Sequence, residues 1–259
     1  MSITKFLEEE NQQYYLKEAY GECWFRLMSA IELLDIRDLE HVSNPFLIKA
    51  LPSYRKAKRK VLFVGRETNG WDSFKTTLDT FRSNDEELKR ENCIEYLQWM
   101  YEDLRFHRKY DHTPFWKAMR RLYQVVSPGD GDDGFLHTEL VRFDYANKRP
   151  PKEIEELLRR EYNVLHMEIK ALSPEIVIFL TGPDYDDHLI KSYHRVGGSG
   201  IPLSFESVKD FNAKSLLRVV HSELPYHTYR TYHPMHSLHF NEKAIFEPIE
   251  EALYELTRI

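Results

Sequence analysis

The chain has 259 residues, 42% hydrophobic and 30% charged, which suits a globular protein of one large domain or two small ones. Its 36 Lys and Arg against 42 Asp and Glu leave a net charge of -6, unlike most nucleic-acid binders. No apolar run approaches the ~20 residues of a membrane helix. The N-terminus M-S-I-T-K-F-L-E-E-E lacks a signal-peptide core, so a cytoplasmic protein is expected.

Two cysteines, Cys23 and Cys93, exclude a disulfide framework, a four-cysteine zinc site and a cysteine-ligated iron–sulfur cluster. The acidity is peripheral. Residues 1–54 carry 9 acids and 5 bases and residues 239–259 carry 5 and 2, which leaves the middle 28 acids and 29 bases.

In chain order, Phe6, Leu16, Tyr20, Trp24, Leu27, Met28, Ile31 and Leu34 recur mostly three, four or seven apart, so residues 4–36 read as an amphipathic helical segment. A basic stretch (Arg55, Lys56, Lys58, Arg59, Lys60) precedes V-L-F-V-G at 61–65, a short apolar run of the kind that forms a buried strand. Residues 85–125 have helical texture, with Pro114 suited to a first helical position. S-P-G-D-G-D-D-G at 127–134 is a loop.

E-L-V-R-F-D-Y at 139–145 reads as a strand, and K-R-P-P at 148–151 ends it and opens a helix to about Leu172. I-V-I-F-L-T-G at 176–182 is a second buried strand. L-L-R-V-V-H at 216–221 and H-T-Y-R-T-Y at 227–232 read as a hairpin pair or two sheet strands, and residues 241–258 close the chain as a helix. Strand–helix–strand succession predicts a parallel sheet. The expected fold is a three-layer α/β/α sandwich around a mainly parallel four-stranded sheet, residues 55–259, with residues 1–54 as a helical extension packed on it.

Ligands of parallel α/β sheets bind beyond the carboxyl ends of strands. The segments there are G-R-E-T-N-G-W (65–71), F-D-Y-A-N-K-R-P-P (143–151), T-G-P-D-Y-D (181–186) and T-Y-H-P-M-H-S (231–237). They offer a carboxylate, an acid or amide pair, a glycine turn and a histidine, the ingredients of an active site. G-G-S-G at 197–200 lacks the lysine of a phosphate loop and the serine pattern of a hydrolase elbow, and reads as a flexible connection.

In their order and placement these motifs resemble the uracil-DNA glycosylase superfamily over about residues 58–240. That family carries a first motif of the type G-Q-D-P-Y-H or G-E-A-P-G and a late H-P-S or T-Y-H-P motif. Its iron–sulfur branch reads roughly T-N-V-V-K-C-R-P-P in the middle, where this chain has F-D-Y-A-N-K-R-P-P. The resemblance implies a monofunctional DNA glycosylase of base-excision repair. Such an enzyme flips a deaminated base, uracil or a related lesion such as hypoxanthine, and hydrolyses its N-glycosidic bond without a metal or cofactor.

It further implies that Glu67 positions a water at the sugar C1′ and stabilises the developing cation, and that His233 donates a hydrogen bond to the departing base. Gly65, Arg66 and Thr68 would line the base pocket, with Trp71 or Phe74 as the stacking face. Thr231, Met235, His236 and Ser237 fall where the family grips backbone phosphates, and Leu238 where a wedge fills the vacated stack. His233, His236 and His239 are spaced three apart, but no defined fourth partner completes a zinc site.

The chain departs from the family at Thr68, in place of a proline, at Arg66, in place of the iron–sulfur branch's glutamate, and at Asp144, in place of the asparagine that reads uracil. An amide both donates and accepts, whereas a carboxylate only accepts. Either Asp144 is protonated, or Asn147 substitutes for it, or another base is read. Because the excess acid lies in the terminal segments, the net charge does not argue against DNA, but it predicts weak non-specific affinity. Two alternatives remain: a diverged, catalytically inactive member acting as a nucleic-acid-binding module, and an unrelated α/β hydrolase of small nucleotides.

Overall fold

A computed structural model describes residues 3–194, 202–235 and 242–257. It has the α/β fold expected from the alternation of apolar runs and amphipathic segments. Contacts divide the chain into two discontinuous compact units. The first comprises residues 1–50, 67–107 and 139–172, and the second residues 51–66, 108–138 and 173–259.

The first unit is helical. It holds α1 (Ile3–Glu32), α2 (Ile36–His41), α4 (Phe74–Thr80), α5 (Glu86–His107), α7 (Lys152–Glu161) and α8 (Leu165–Leu172), while α3 (Pro52–Lys56) belongs to the second unit. The stripe Leu16, Tyr20, Cys23, Trp24, Leu27 and Ile31 of α1 is buried, and α1 packs on α5, α7 and α8. Each fully buried large side chain of that stripe contributes ~1.5–3 kcal/mol of apolar burial.

One buried ion pair sits in this unit. Arg142 grips Glu168 with two parallel bonds, Nη1–Oε1 2.9 Å and Nη2–Oε2 2.6 Å, and Tyr20 Oη donates to Glu168 Oε1 at 2.7 Å. The Ile48 N–H donates to Tyr20 Oη, tying the 43–50 segment to α1. Burial, and after it the Glu168 charge, pushes the Tyr20 hydroxyl well above its ordinary value.

The second unit carries the sheet, in the order β2-β1-β3-β6-β5-β4. The strands are β1 (Val61–Glu67), β2 (Leu136–Val141), β3 (Ile176–Phe179), β4 (Ser204–Ser207), β5 (Leu216–Val220) and β6 (His227–Thr231); the unit boundary cuts β1 before Glu67 and β2 before Glu139. β1 pairs parallel with β3 (Val61 opposite Ile176) and β3 parallel with β6 (Ile176 opposite His227). Val61–Val64 and Ile176–Phe179 are buried throughout, as parallel strands without a wet face must be. The helices here are α6 (Pro114–Val126), α9 (Asp186–Tyr193) and α10 (Glu242–Leu256), with α6 packed on α10. No helix among the described residues is long and apolar enough to cross a membrane.

The sheet has six strands rather than the expected four. β6, β5 and β4 form an antiparallel run, so the hairpin option for 216–232 is the one adopted, and β4 adds an edge. β4 reads Ser-Phe-Glu-Ser and is mostly exposed, so it has no apolar run to announce it. β2 begins at Leu136, three residues before the expected start. The helical texture of 85–125 resolves into α5 and α6, the second opening at Pro114 as expected, with a break at 108–113 where Arg108 takes a left-handed φ of 51°.

Candidate active site

The predicted residues fall into both units, and each set has its own chemistry. In the first unit, the turn after β1 and the turn after β2 line a cleft of about 260 Å³ that includes Ser43, Gly70, Trp71, Asp144 and Asn147. Its volume lies just under the ~300–1,000 Å³ of typical ligand sites, which suits one ring system.

Asp144 organises this cleft. Its side chain is buried, with Oδ2 accepting from the Gly70 N–H (3.0 Å) and Trp71 N–H (3.3 Å) and Oδ1 from the Asn147 N–H (2.9 Å). Both oxygens are therefore spent on the backbone of the two turns. Ser43 Oγ accepts from the Asp144 N–H and lies 3.2 Å from Thr68 Oγ1, so Thr68 is a buried tie rather than a wall group. Gly70, Asp72, Ala146 and Asn147 all hold left-handed φ between 50° and 78°. Such backbone costs ~1–2 kcal/mol at each non-glycine position and is concentrated at functional sites.

Of the two aromatic candidates, Trp71 lines the cleft. Its ring lies 4.9 Å from that of Phe46, and its Nε1 is buried without an acceptor among the described residues. Phe74 is fully buried between Trp24 and Phe143, so it is core and faces no cleft. The amide of Asn147 approaches Gly70 so closely that a Cβ there would meet Oδ1 at 3.2 Å.

Glu67, at the end of β1, is half-buried. Its neighbour in the charge balance is Glu139 of β2, buried with Oε2 unpartnered among the described residues. Burial, and after it the Glu67 charge, pushes the Glu139 carboxyl well above its ordinary value, with Arg142 opposing. Sequence reasoning passed over Glu139. In sequence it is only the acid that opens the expected strand 139–145; its place inside β2 follows from the strand's start at Leu136.

In the second unit the late motif follows β6. His233 stacks on Phe115, the first residues of α6 supplying the face, with ring centroids 5.3 Å apart and planes 12° from parallel. His233 Nδ1 accepts from the Met235 N–H at 3.2 Å. A neutral imidazole that accepts at Nδ1 carries its proton on Nε2, so this ring is arranged as a hydrogen-bond donor at Nε2. Phe115, whose role is visible only in three dimensions, is 6.3 Å from His137, which in turn packs on Trp116 at 4.6 Å.

Arg66 closes the end of β1 in this unit. Its Nε donates to the Thr181 carbonyl at 2.9 Å, and its guanidinium lies over the Tyr185 ring at 5.3 Å. Gly182 beside it has φ 74°, and its N–H donates to the Thr231 carbonyl. Thr231 itself is fully buried, so its side chain does not face solvent, whereas Met235 is exposed. His236, Ser237 and Leu238, like the 197–200 glycine run, lie outside the described residues.

No protein-family model and no curated protein matches the chain. Among the described residues no three histidine, cysteine or carboxylate side chains are grouped to hold a metal.

Proposed function

We propose that the chain is a monofunctional DNA N-glycosylase of the uracil-DNA glycosylase kind, acting in cytoplasmic base-excision repair on a deaminated base. The observation that carries the reading is His233. It stands on the loop after a parallel strand, its ring is braced by Phe115, and its Nδ1 accepts from the Met235 N–H, which in a neutral ring places the proton on Nε2.

In the proposed reaction the C1′–N bond breaks and its electron pair stays with the base. His233 Nε2–H stabilises the charge that accumulates on the base carbonyl, as a preorganised donor does. Water adds to the cationic C1′, oriented by the Glu67 carboxylate, and its proton leaves with the base or to solvent. Wild-type protein is expected to convert uracil- or hypoxanthine-containing oligonucleotides to alkali-labile abasic products, and Glu67→Gln is expected to lose most of that activity. Inactivity of the wild type on a panel of deaminated bases overturns the reading.

A second reading is supported by Asp144, whose oxygens are consumed by three backbone N–H groups and so do not serve a base edge. In that reading the chain binds nucleic acid without excising a base. Retention of DNA with a steep salt dependence and no abasic product selects it.

A further inference from the structure

β1 is the first strand, and in the sheet order β2-β1-β3 the two strands that follow it in the chain lie on its opposite sides, so the β1/β3 boundary is a topological switch point. Open parallel sheets bind ligands in the crevice beyond the strand ends at such a point. Arg66 leaves the end of β1 there and reaches the loop after β3.

The guanidinium is fixed in two ways and has space beside it. Nε is spent on the Thr181 carbonyl, the plane lies over Tyr185, and Gly182 gives it room. A Cβ on Gly182 would come within 3.3 Å of Arg66 Nη2 and 3.9 Å of the His233 backbone nitrogen, so the missing side chain keeps this corner open. Arg66 is half-buried, yet it has no carboxylate partner among the described residues; elsewhere in the same unit Arg108, Arg120 and Arg230 are each paired with aspartate. A partly desolvated guanidinium anchored through Nε, with its Nη groups unpaired, is organised for a planar, bidentate anion.

We propose that Arg66, with the Gly182 turn, forms an anion seat for a backbone phosphodiester of the bound strand. This deepens the base-excision reading, on which it rests, by assigning a nucleic-acid contact to the charged residue near the end of β1. The seat stands or falls on binding, not on excision.

The test measures affinity for an undamaged single-stranded oligonucleotide across a salt series, with wild type, Arg66→Gln, Arg66→Lys and Gly182→Ala, each checked for an unchanged melting temperature. Loss of one phosphate contact is expected to weaken binding about tenfold in Arg66→Gln and to reduce the slope of log affinity against log salt by about one. Arg66→Lys restores part of the affinity, since a lysine keeps the charge without the fork. Gly182→Ala weakens binding by crowding Nη2. An Arg66→Gln slope equal to that of wild type overturns the proposal, whether or not excision occurs. A lowered slope without any abasic product sustains the seat while the excision reading fails. Inorganic phosphate that competes with the oligonucleotide for wild type but not for Arg66→Gln sustains the seat, and phosphate that binds at Arg66 alongside the oligonucleotide overturns the phosphodiester assignment.

Discussion

The Asp144 turns and the Arg66–His233 corner treat their polar side chains in opposite ways. In the first, the Asp144 carboxylate is consumed holding Gly70, Trp71 and Asn147 in place, and the cleft it builds is walled by strained backbone and an indole. In the second, one nitrogen of each side chain is an anchor, Nε of Arg66 as a donor and Nδ1 of His233 as an acceptor; Arg66 has no carboxylate partner among the described residues, and a neutral His233 carries its proton on Nε2. One region is built for shape and the other for charge. Substitutions should therefore cost stability in the first and activity in the second.

The largest effect is expected at His233. Removing a preorganised donor to developing negative charge costs ~10²–10³-fold in rate, so His233→Ala should lose at least about a hundredfold in single-turnover excision with little change in melting temperature. Asp144→Ala should show the reverse. It strands three N–H groups that now bond a carboxylate, and bonds to charged groups are worth ~1.5–3 kcal/mol each in net terms. A drop of at least about 2 kcal/mol in urea unfolding is expected; an unchanged midpoint would show that water replaces the carboxylate at no cost and would dissolve the contrast.

Glu139 sharpens the comparison through pH. Its folded-state value is raised by burial and by Glu67, so the folded chain holds a proton that the unfolded chain releases. The stability linked to this group is fully present below the ordinary glutamate value of 4.5 and is lost as pH rises toward the raised folded value. Glu139→Gln removes that loss. The variant should melt higher than wild type at pH 7, by a few degrees for each ~1 kcal/mol recovered, and the advantage should vanish near pH 4. An advantage independent of pH contradicts the assignment. The smallest effect is expected at Ala146, whose φ of 50° strains an L-residue. Ala146→Gly should stabilise by up to ~1 kcal/mol as relief of strain outweighs the added chain entropy.

Much of this arrangement is legible in the residues alone. V-L-F-V and I-V-I-F are unbroken apolar runs, and only strands buried on both faces tolerate them, so β1 and β3 announce themselves. β4 does not, because its pairing comes from the β5 backbone rather than from its own side chains. The helix expected to run to Leu172 divides between Glu161 and Leu165, where Tyr162 and Val164 are buried by tertiary packing that no periodicity encodes.

The same division applies to the site. The histidine–proline pair after β6 is visible in sequence, but the Phe115 face and the Met235 N–H that orient His233 come from chain positions 118 residues before it and two after it. Phe74 and Trp71 look equivalent as aromatic candidates in one loop. Only burial separates them, since Phe74 caps the core while Trp71 keeps its indole on the cleft.

The central claim is that His233 donates to a departing base. The most direct test is single-turnover incubation of wild type and His233→Ala with the same uracil- and hypoxanthine-containing oligonucleotides, followed by alkaline cleavage, with DNA binding measured in parallel. The account predicts abasic product from wild type, a loss of at least about a hundredfold in the variant, and similar binding by both. Equal excision by the two proteins, or none by the wild type while it binds the strand, would contradict it.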